Sequence, residues 1–200
     1  MLPEQPLTTA FFGVSGAGKG TQAELLENYL RAHDSAREVL RPEMGKLARA
    51  FMDTGTAFAE HAKRILARGG LLPSFIPIYL LTTFLNEQCT GSEHVILDGV
   101  SRRAMQAQAL DEMMRLLERK PLRAIVLNVS MESAKQRLLL RGRYDDTDEA
   151  IEQRFSWYEE NVVPSYQELE KLGWNVFHID GEPDIETIHK NILSVLGLEK

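Results

Sequence analysis

Cysteine is nearly missing from this chain: Cys89 is the only one in 200 residues. A lone thiol excludes an internal disulfide framework and any zinc site built from several cysteines. It suits a reducing compartment. No run of 18 or more apolar residues occurs, so no membrane span is expected. The opening MLPEQPLTTAFFG has no basic stretch followed by an apolar one and does not read as a signal peptide. A cytoplasmic location is therefore the expectation, with no membrane partner. Positive charge is also scarce. The chain has 23 Lys and Arg against 29 Asp and Glu, a formal net charge of −6 and a pI near 5.5. General nucleic-acid binders are more often basic, so no nucleic-acid partner is expected. An acidic chain that handles phosphates must gather its Arg and Lys locally.

What is present is ordinary for a globular protein: 44% hydrophobic residues, with 8 Phe, 5 Tyr and 2 Trp to furnish a core. At this length one domain is expected, burying about 70% of the surface of the unfolded chain without disulfide staples. No repeat, low-complexity tract or linker interrupts it. Short apolar runs at Leu7–Val14, Arg37–Leu40, His94–Leu97, Ala124–Val129 and Asn175–Ile179 suit strands buried on both faces of a parallel sheet. Helical periodicity lies between them, at Thr21–His33, Ala57–Arg68, Pro77–Gln88, Ala104–Arg119, Ser133–Arg141, Asp148–Leu172 and Ile185–Leu196. Pro164 should kink or interrupt the long Asp148–Leu172 stretch. The alternation predicts an α/β fold: a five-stranded parallel sheet with helices on both faces.

The sharpest motif is Gly13-Val-Ser-Gly16-Ala17-Gly18-Lys19-Gly20-Thr21-Gln22. It leaves the first predicted strand and opens the first predicted helix, the context a phosphate-binding loop requires. Glycines let the backbone turn tightly and aim several N–H groups inward. The helix N-terminus adds partial positive charge, and Lys19 places a point charge at the β- and γ-phosphates. The general pattern has a hydroxyl directly after the lysine. Here that position is Gly20 and the hydroxyl comes one later, at Thr21.

GKGTQ resembles the loop of the adenylate kinase and nucleoside monophosphate kinase family, which reads GxPGxGKGTQ. A second match is His94–Ala107, HVILDGVSRRAMQA, against the family's DG[FY]PRxxxQA. Asp98, Gly99, Arg102, Gln106 and Ala107 fall in register, while Val100 and Ser101 depart from the aromatic and the proline. Arg137, Arg141, Arg143 and Arg154 fall where the family has its lid and helix arginines, and Arg143-Tyr144-Asp145-Asp146 resembles its R-x-D-D. Gly55 and then Gly69-Gly70-Leu71-Leu72-Pro73 resemble the acceptor-binding insertion. The resemblance runs from about residue 8 to 196.

The residues and the resemblance together imply a site. Asp98, at the carboxyl edge of its strand, is placed to hold Mg²⁺ through waters, since that ion keeps much of its hydration shell. Thr21 is a further candidate for the metal. Gly16, Ala17, Gly18, Lys19, Gly20 and Thr21 would hold ATP. So would Arg137 and Arg141, four apart on one helix face, and Gly181 beside the donor base. Arg102, Arg49 and Gly99 would meet the phosphate of a nucleoside monophosphate. Gln106, one helical turn past Arg102, can reach its base, because an amide both donates and accepts. Met44, Gly70, Leu71 and Leu72 complete that pocket. Arg143 and Arg154 would close on the transferring group, so Lys19, Arg102, Arg141, Arg143 and Arg154 form the expected catalytic set.

The implied layout is a core of about 1–42, 73–140 and 148–200, an acceptor-binding insertion at about 43–72, and a lid at about 141–147. That lid is shorter than the family's short form and, without cysteines, cannot be its zinc-bearing long form. The implied reaction is reversible transfer from MgATP to a nucleoside monophosphate, with AMP first, in a monomer. The family's STGDxxR here reads Glu43-Met44-Gly45-Lys46-Leu47-Ala48-Arg49, with Met for the threonine at the base and Lys for the acid. Another phosphorylated acceptor, or a nucleotide-binding regulator without catalysis, are the alternatives. The five histidines and the Met113–Met114 pair carry no ligand spacing and are assigned to structure, and Cys89 to an inert thiol.

Overall fold

The computed structural model of the chain describes residues 5–143 and 146–198. Five strands form one parallel sheet: β1 (Thr8–Gly13), β2 (Val39–Leu40), β3 (His94–Asp98), β4 (Leu122–Asn128) and β5 (Asn175–Asp180). Their order in space is β2-β3-β1-β4-β5. Successive strand residues point to opposite faces, and every residue of β1 and β3 is buried, so both faces of the central strands are covered. The covering helices include α1 (Lys19–His33) packed on α9 (Ile185–Val195) and α5 (Ala104–Leu116) packed on α8 (Val163–Lys171).

β1 sits between β3 and β4, with Phe11 paired to Asp98 and Gly13 to Leu127. The chain leaves β1 for one side of the sheet and returns to build the other. The crevice beyond its carboxyl end is thus a topological switch point, where open α/β sheets take ligands.

The span from 43 to 72 folds as α2 (Met44–Met52) and α3 (Ala57–Ala67), a helix pair that the sequence periodicity marked only in part, since α2 was not foreseen. Ala48, Met52, Ala62, Leu72 and Ile76 give it a small apolar cluster of its own, closed by the start of α4 (Phe75–Gln88). Thr56 begins α3 by accepting a hydrogen bond from the Ala59 N–H, the ordinary way a hydroxyl ends an orphan donor.

The long C-terminal helix is interrupted, as Pro164 requires. α7 (Asp148–Trp157) runs into one π-helical turn at Tyr158–Val162, and Pro164 then lies in the first turn of α8. α6 (Met131–Arg141) begins two residues before the predicted start, because Ser130 caps it through the Ser133 N–H.

Of the residues assigned to structure, His94 and Met114 lie in the interior, while His33 and His61 are exposed. Met114 is fully buried. His94 accepts from the Leu7 N–H at Nδ1 (2.8 Å), so its Nε2 carries the proton toward Asp34 Oδ2 at 3.0 Å. Arg119 is buried beneath the sheet and donates to Thr8 Oγ1 and to the carbonyls of Leu7, Gly91 and Glu93. The Cys89 thiol donates to Glu93 at 3.5 Å, and burial pushes it above its ordinary pKa.

Candidate active site

β1 ends at Gly13, and the loop that follows turns through Gly16 and Gly18, both at positive φ (90° and 93°), before α1 begins. No side chain fits at Gly16, where a Cβ would meet the Ala134 carbonyl of α6. α3, α6, α7 and α9 each start under a side-chain cap. α1 has left-handed Gly18 at that position and no side-chain cap. Its first N–H groups therefore face the loop, and with the helix dipole they make an anion site. Lys19 Nζ curls over this loop and donates to the Gly13 and Val14 carbonyls, each at 2.9 Å.

Above the loop, at the carboxyl edge of the sheet, lies a cleft of about 1100 Å³. Every site residue named from the sequence lines it except Gly181. Nine Lys and Arg side chains face it against four Asp and Glu, although the whole chain is acidic. The scarce positive charge is thus gathered where a polyanion would sit. The crowding is visible in the titration of its members. Burial, and then the nearby Arg102 charge, lower Lys19 to about 8. Burial and then Arg154 lower Arg102, against the opposite pull of Asp98.

Asp98 closes β3 with its side chain 8% exposed, and burial raises its pKa against the pull of Lys19. A Cβ at position 20 would stand 3.5 Å from Asp98 Oδ2, so Gly20 keeps the space before the carboxylate open. A carboxylate opening onto a phosphate loop fits a hydrated Mg²⁺, which takes few protein ligands and several waters. Thr21 lies one position further round α1, on its exposed side, and lines the same cleft.

On the side expected to take the acceptor, Arg102 lies over the Trp157 ring at 5.7 Å, and the Trp157 indole donates to the Gly69 carbonyl at 2.8 Å. Gln106 is buried. Its Oε1 accepts from the Arg102 backbone N–H (2.8 Å), and its Nε2 points to Ser74 Oγ at 3.4 Å. Met44 is buried in the first turn of α2. Lys46 pairs with Glu43 at 3.0 Å and Arg49 with the same acid at 3.4 Å. The charge reversal at position 46 is therefore answered by its neighbour. Gly70, Leu71 and Leu72 return the insertion to the core along the cleft wall.

On the side expected to take the donor, Arg137 donates to the Gly181 carbonyl at 2.9 Å, so these two residues meet directly. Gly181 stands off the cleft, pressed on β4. A Cβ there would lie 2.6 Å from Val129 Cγ2. A side chain there would force Val129 to move.

The lid arginines are held by a residue whose role the sequence did not disclose. Asp146, with its side chain 1% exposed, accepts from Arg141 Nε (2.9 Å) and Nη2 (2.7 Å), and from Arg154 Nη1 (2.8 Å). It also receives the Arg143 N–H at 3.2 Å. Burial opposes the charge on Asp146, but the hydrogen bonds from Arg141 and Arg154 outweigh it and hold the carboxyl below its ordinary pKa. Tyr144 and Asp145 of the R-x-D-D run lie outside the described residues. Arg41 and Glu43 also line the cleft unforeseen. Nothing in the local sequence Arg41-Pro42-Glu43 marks a partner 57 residues away.

Comparison with known proteins places the chain in a wider set. The adenylate kinase family pattern matches residues 11–172. An adenylate kinase of Prochlorococcus marinus (strain MIT 9211) is 34% identical over 190 residues, covering 94% of this chain and 96% of its own. One of Mycobacterium ulcerans (strain Agy99) is 33% identical over 191 residues, covering 96% and 99%. One of Synechococcus sp. (strain RCC307) is 32% identical over 189 residues, covering 94% and 97%.

Proposed function

The chain belongs to the adenylate kinase family, and from that we infer that it moves the terminal phosphoryl group of ATP reversibly onto AMP, giving two ADP. The observation that carries this reading is the convergence of Lys19, Asp98, Arg102, Arg141, Arg143 and Arg154 on one cleft above an uncapped helix N-terminus. The set is complete, which speaks against a regulator that has lost catalysis.

The acceptor phosphate is already an anion, so no general base is required. Catalysis is then in-line positioning, neutralisation of charge on the equatorial oxygens, and exclusion of water. Lys19 and the N–H groups of the loop grip the ATP phosphates. Arg102 and Arg49 hold the acceptor phosphate. Arg141, Arg143 and Arg154 bring charge to the group in flight, with Arg141 and Arg154 already oriented by Asp146. Arg137, with the backbone at Gly181, borders the donor base. Asp98, with Thr21 nearby, would hold Mg²⁺, which when bound neutralises phosphate charge.

The helix pair at 43–72 serves as the acceptor-binding insertion and residues 141–147 as a very short lid. Gln106 offers an amide edge to the base, with its oxygen anchored by the Arg102 N–H. Met44 supplies no hydroxyl, but it packs on a purine face as an adaptable apolar side chain. We take the location to be cytoplasmic. No helix among the described residues is long and apolar enough to cross a membrane.

A coupled assay with MgATP against AMP, GMP, CMP, UMP and dTMP at equal concentration tests the acceptor. AMP should be the best of the five. A pyrimidine monophosphate that outran it tenfold would leave the kinase class standing and remove AMP.

A further inference from the structure

Arg41 is absent from every motif above, yet it is among the most constrained cations of the cleft. Its side chain is 13% exposed. Nε is bound to Glu27 Oε2 of α1 at 2.6 Å. Its other end, Nη1, stands 3.7 Å from Asp98 Oδ2 and 3.8 Å from Glu43 Oε2. Glu27 is in turn held by Arg31 at 3.0 Å. The guanidinium is thus fixed from behind by one acid and presented to two others at the cleft wall.

The distances to Asp98 and Glu43 are beyond hydrogen-bonding range, so those two contacts act through charge rather than through directed bonds. A structural role is already met by Glu27. What the far end adds is a fixed positive charge in front of two carboxylates of the cleft, Asp98 and Glu43. A divalent cation approaching Asp98 would face that charge at short range, in a partly desolvated wall where screening is incomplete.

We propose that Arg41 is an internal counter-ion that keeps Asp98 and Glu43 from holding a divalent cation until a nucleotide brings one. This rests on the reading of Asp98 as the carboxylate that serves the metal. Its consequence is an order of binding. The empty cleft keeps its carboxylates neutralised by the protein's own cations, Arg41 acting with Lys19 at Asp98 and with Lys46 and Arg49 at Glu43. The metal gains a favourable site only when phosphate oxygens supply ligands and negative charge of their own.

The test is Mn²⁺ binding, followed by electron paramagnetic resonance on the full chain, without nucleotide and with ATP. Arg41→Met should tighten nucleotide-free Mn²⁺ binding about tenfold, the scale of one unit charge acting on a divalent ion across several ångströms of partly screened medium. Arg41→Lys keeps the charge and should stay within about twofold of the parent, a distinction that mere packing would not make. Equal Mn²⁺ affinity in the parent and Arg41→Met overturns the proposal.

If Arg41→Met does not fold, Asp98→Asn decides the matter. It should leave nucleotide-free Mn²⁺ affinity unchanged, because Arg41 already denies that carboxylate to the ion, and should weaken Mn²⁺ in the ATP complex. A clear loss of nucleotide-free affinity in Asp98→Asn also overturns the proposal. An unchanged ATP complex would instead remove the metal role of Asp98, and the inference with it, while leaving phosphoryl transfer to be judged by the acceptor assay.

Discussion

Replacing Asp146 with alanine should lower kcat far more than it lowers stability. The carboxylate holds Arg141 through two hydrogen bonds and Arg154 through one, at 2.7 to 2.9 Å. Without it, both guanidinium groups regain rotamer freedom that must be lost again in the transition state. Ordering one arginine side chain costs up to about 1.5–2 kcal/mol. Arg141 is 36% exposed and would regain most of that, whereas Arg154, at 11%, stays partly packed and would regain about half. The two together come to roughly 2–3 kcal/mol, or a fall in kcat of roughly 30- to 150-fold. Asp146→Asn keeps an acceptor oxygen without the charge, and such neutral bonds are about half as strong, so its loss should be smaller. The assay is steady-state turnover with both substrates saturating, next to thermal melts of each variant. Asp146→Ala should cost less in an Arg154→Ala background than in the parent, because only Arg141 then remains for the carboxylate to orient. A kcat within threefold of the parent, or full additivity of the two changes, would refute the idea that Asp146 orients the lid arginines.

Three further predictions concern Lys19 and His94. Lys19→Met removes the charge at the β- and γ-phosphates and should cost several orders of magnitude in kcat with the fold intact by circular dichroism, on the scale of the 10³–10⁵-fold worth of a comparable cation. Because burial and Arg102 lower Lys19 to about 8 in the free protein, ATP binding at pH 8.5 should take up part of a proton, read by calorimetry in buffers of different ionisation enthalpy, and Lys19→Met should take up none. Burial lowers the pKa of His94 from its ordinary 6.5 against the pull of Asp34, so below that pH the unfolded chain binds more protons than the folded one. The stability conferred by the neutral ring is present above pH 6.5 and lost as the pH falls through it. The Tm should therefore drop from pH 7.5 to 5.5, with a shallower drop in His94→Gln. A Tm that rises with acid would contradict the assignment.

How much of this was legible in the sequence follows the range of the contacts. The phosphate loop is contiguous, and its glycines, lysine and flanking elements are read within ten residues. Asp98, Arg102 and Gln106 share one strand–helix unit, so their register was fixed by the motif. The sheet and most helices followed from apolar periodicity. α2 did not, because its apolar stripe at Met44, Ala48 and Met52 spans only nine residues. The Asp146 clamp depends on how α6 and α7 approach each other. The Arg41 cluster joins α1, the end of β3 and the entry to the insertion. The Trp157 bond to the Gly69 carbonyl crosses 88 positions. None of these contacts has a local pattern to announce it. Gly181 was visible as a candidate beside a donor base, and the structure adds its close approach to Val129, which no local pattern announces.

The central claim is transfer of one phosphoryl group from ATP to AMP. The most direct measurement is ³¹P nuclear magnetic resonance of the protein mixed with MgATP and AMP, followed to equilibrium from both directions. Two ADP should appear for each AMP consumed, and ADP alone should regenerate ATP and AMP. ADP accumulating while AMP stays untouched, or ATP bound with no turnover in either direction, would contradict it.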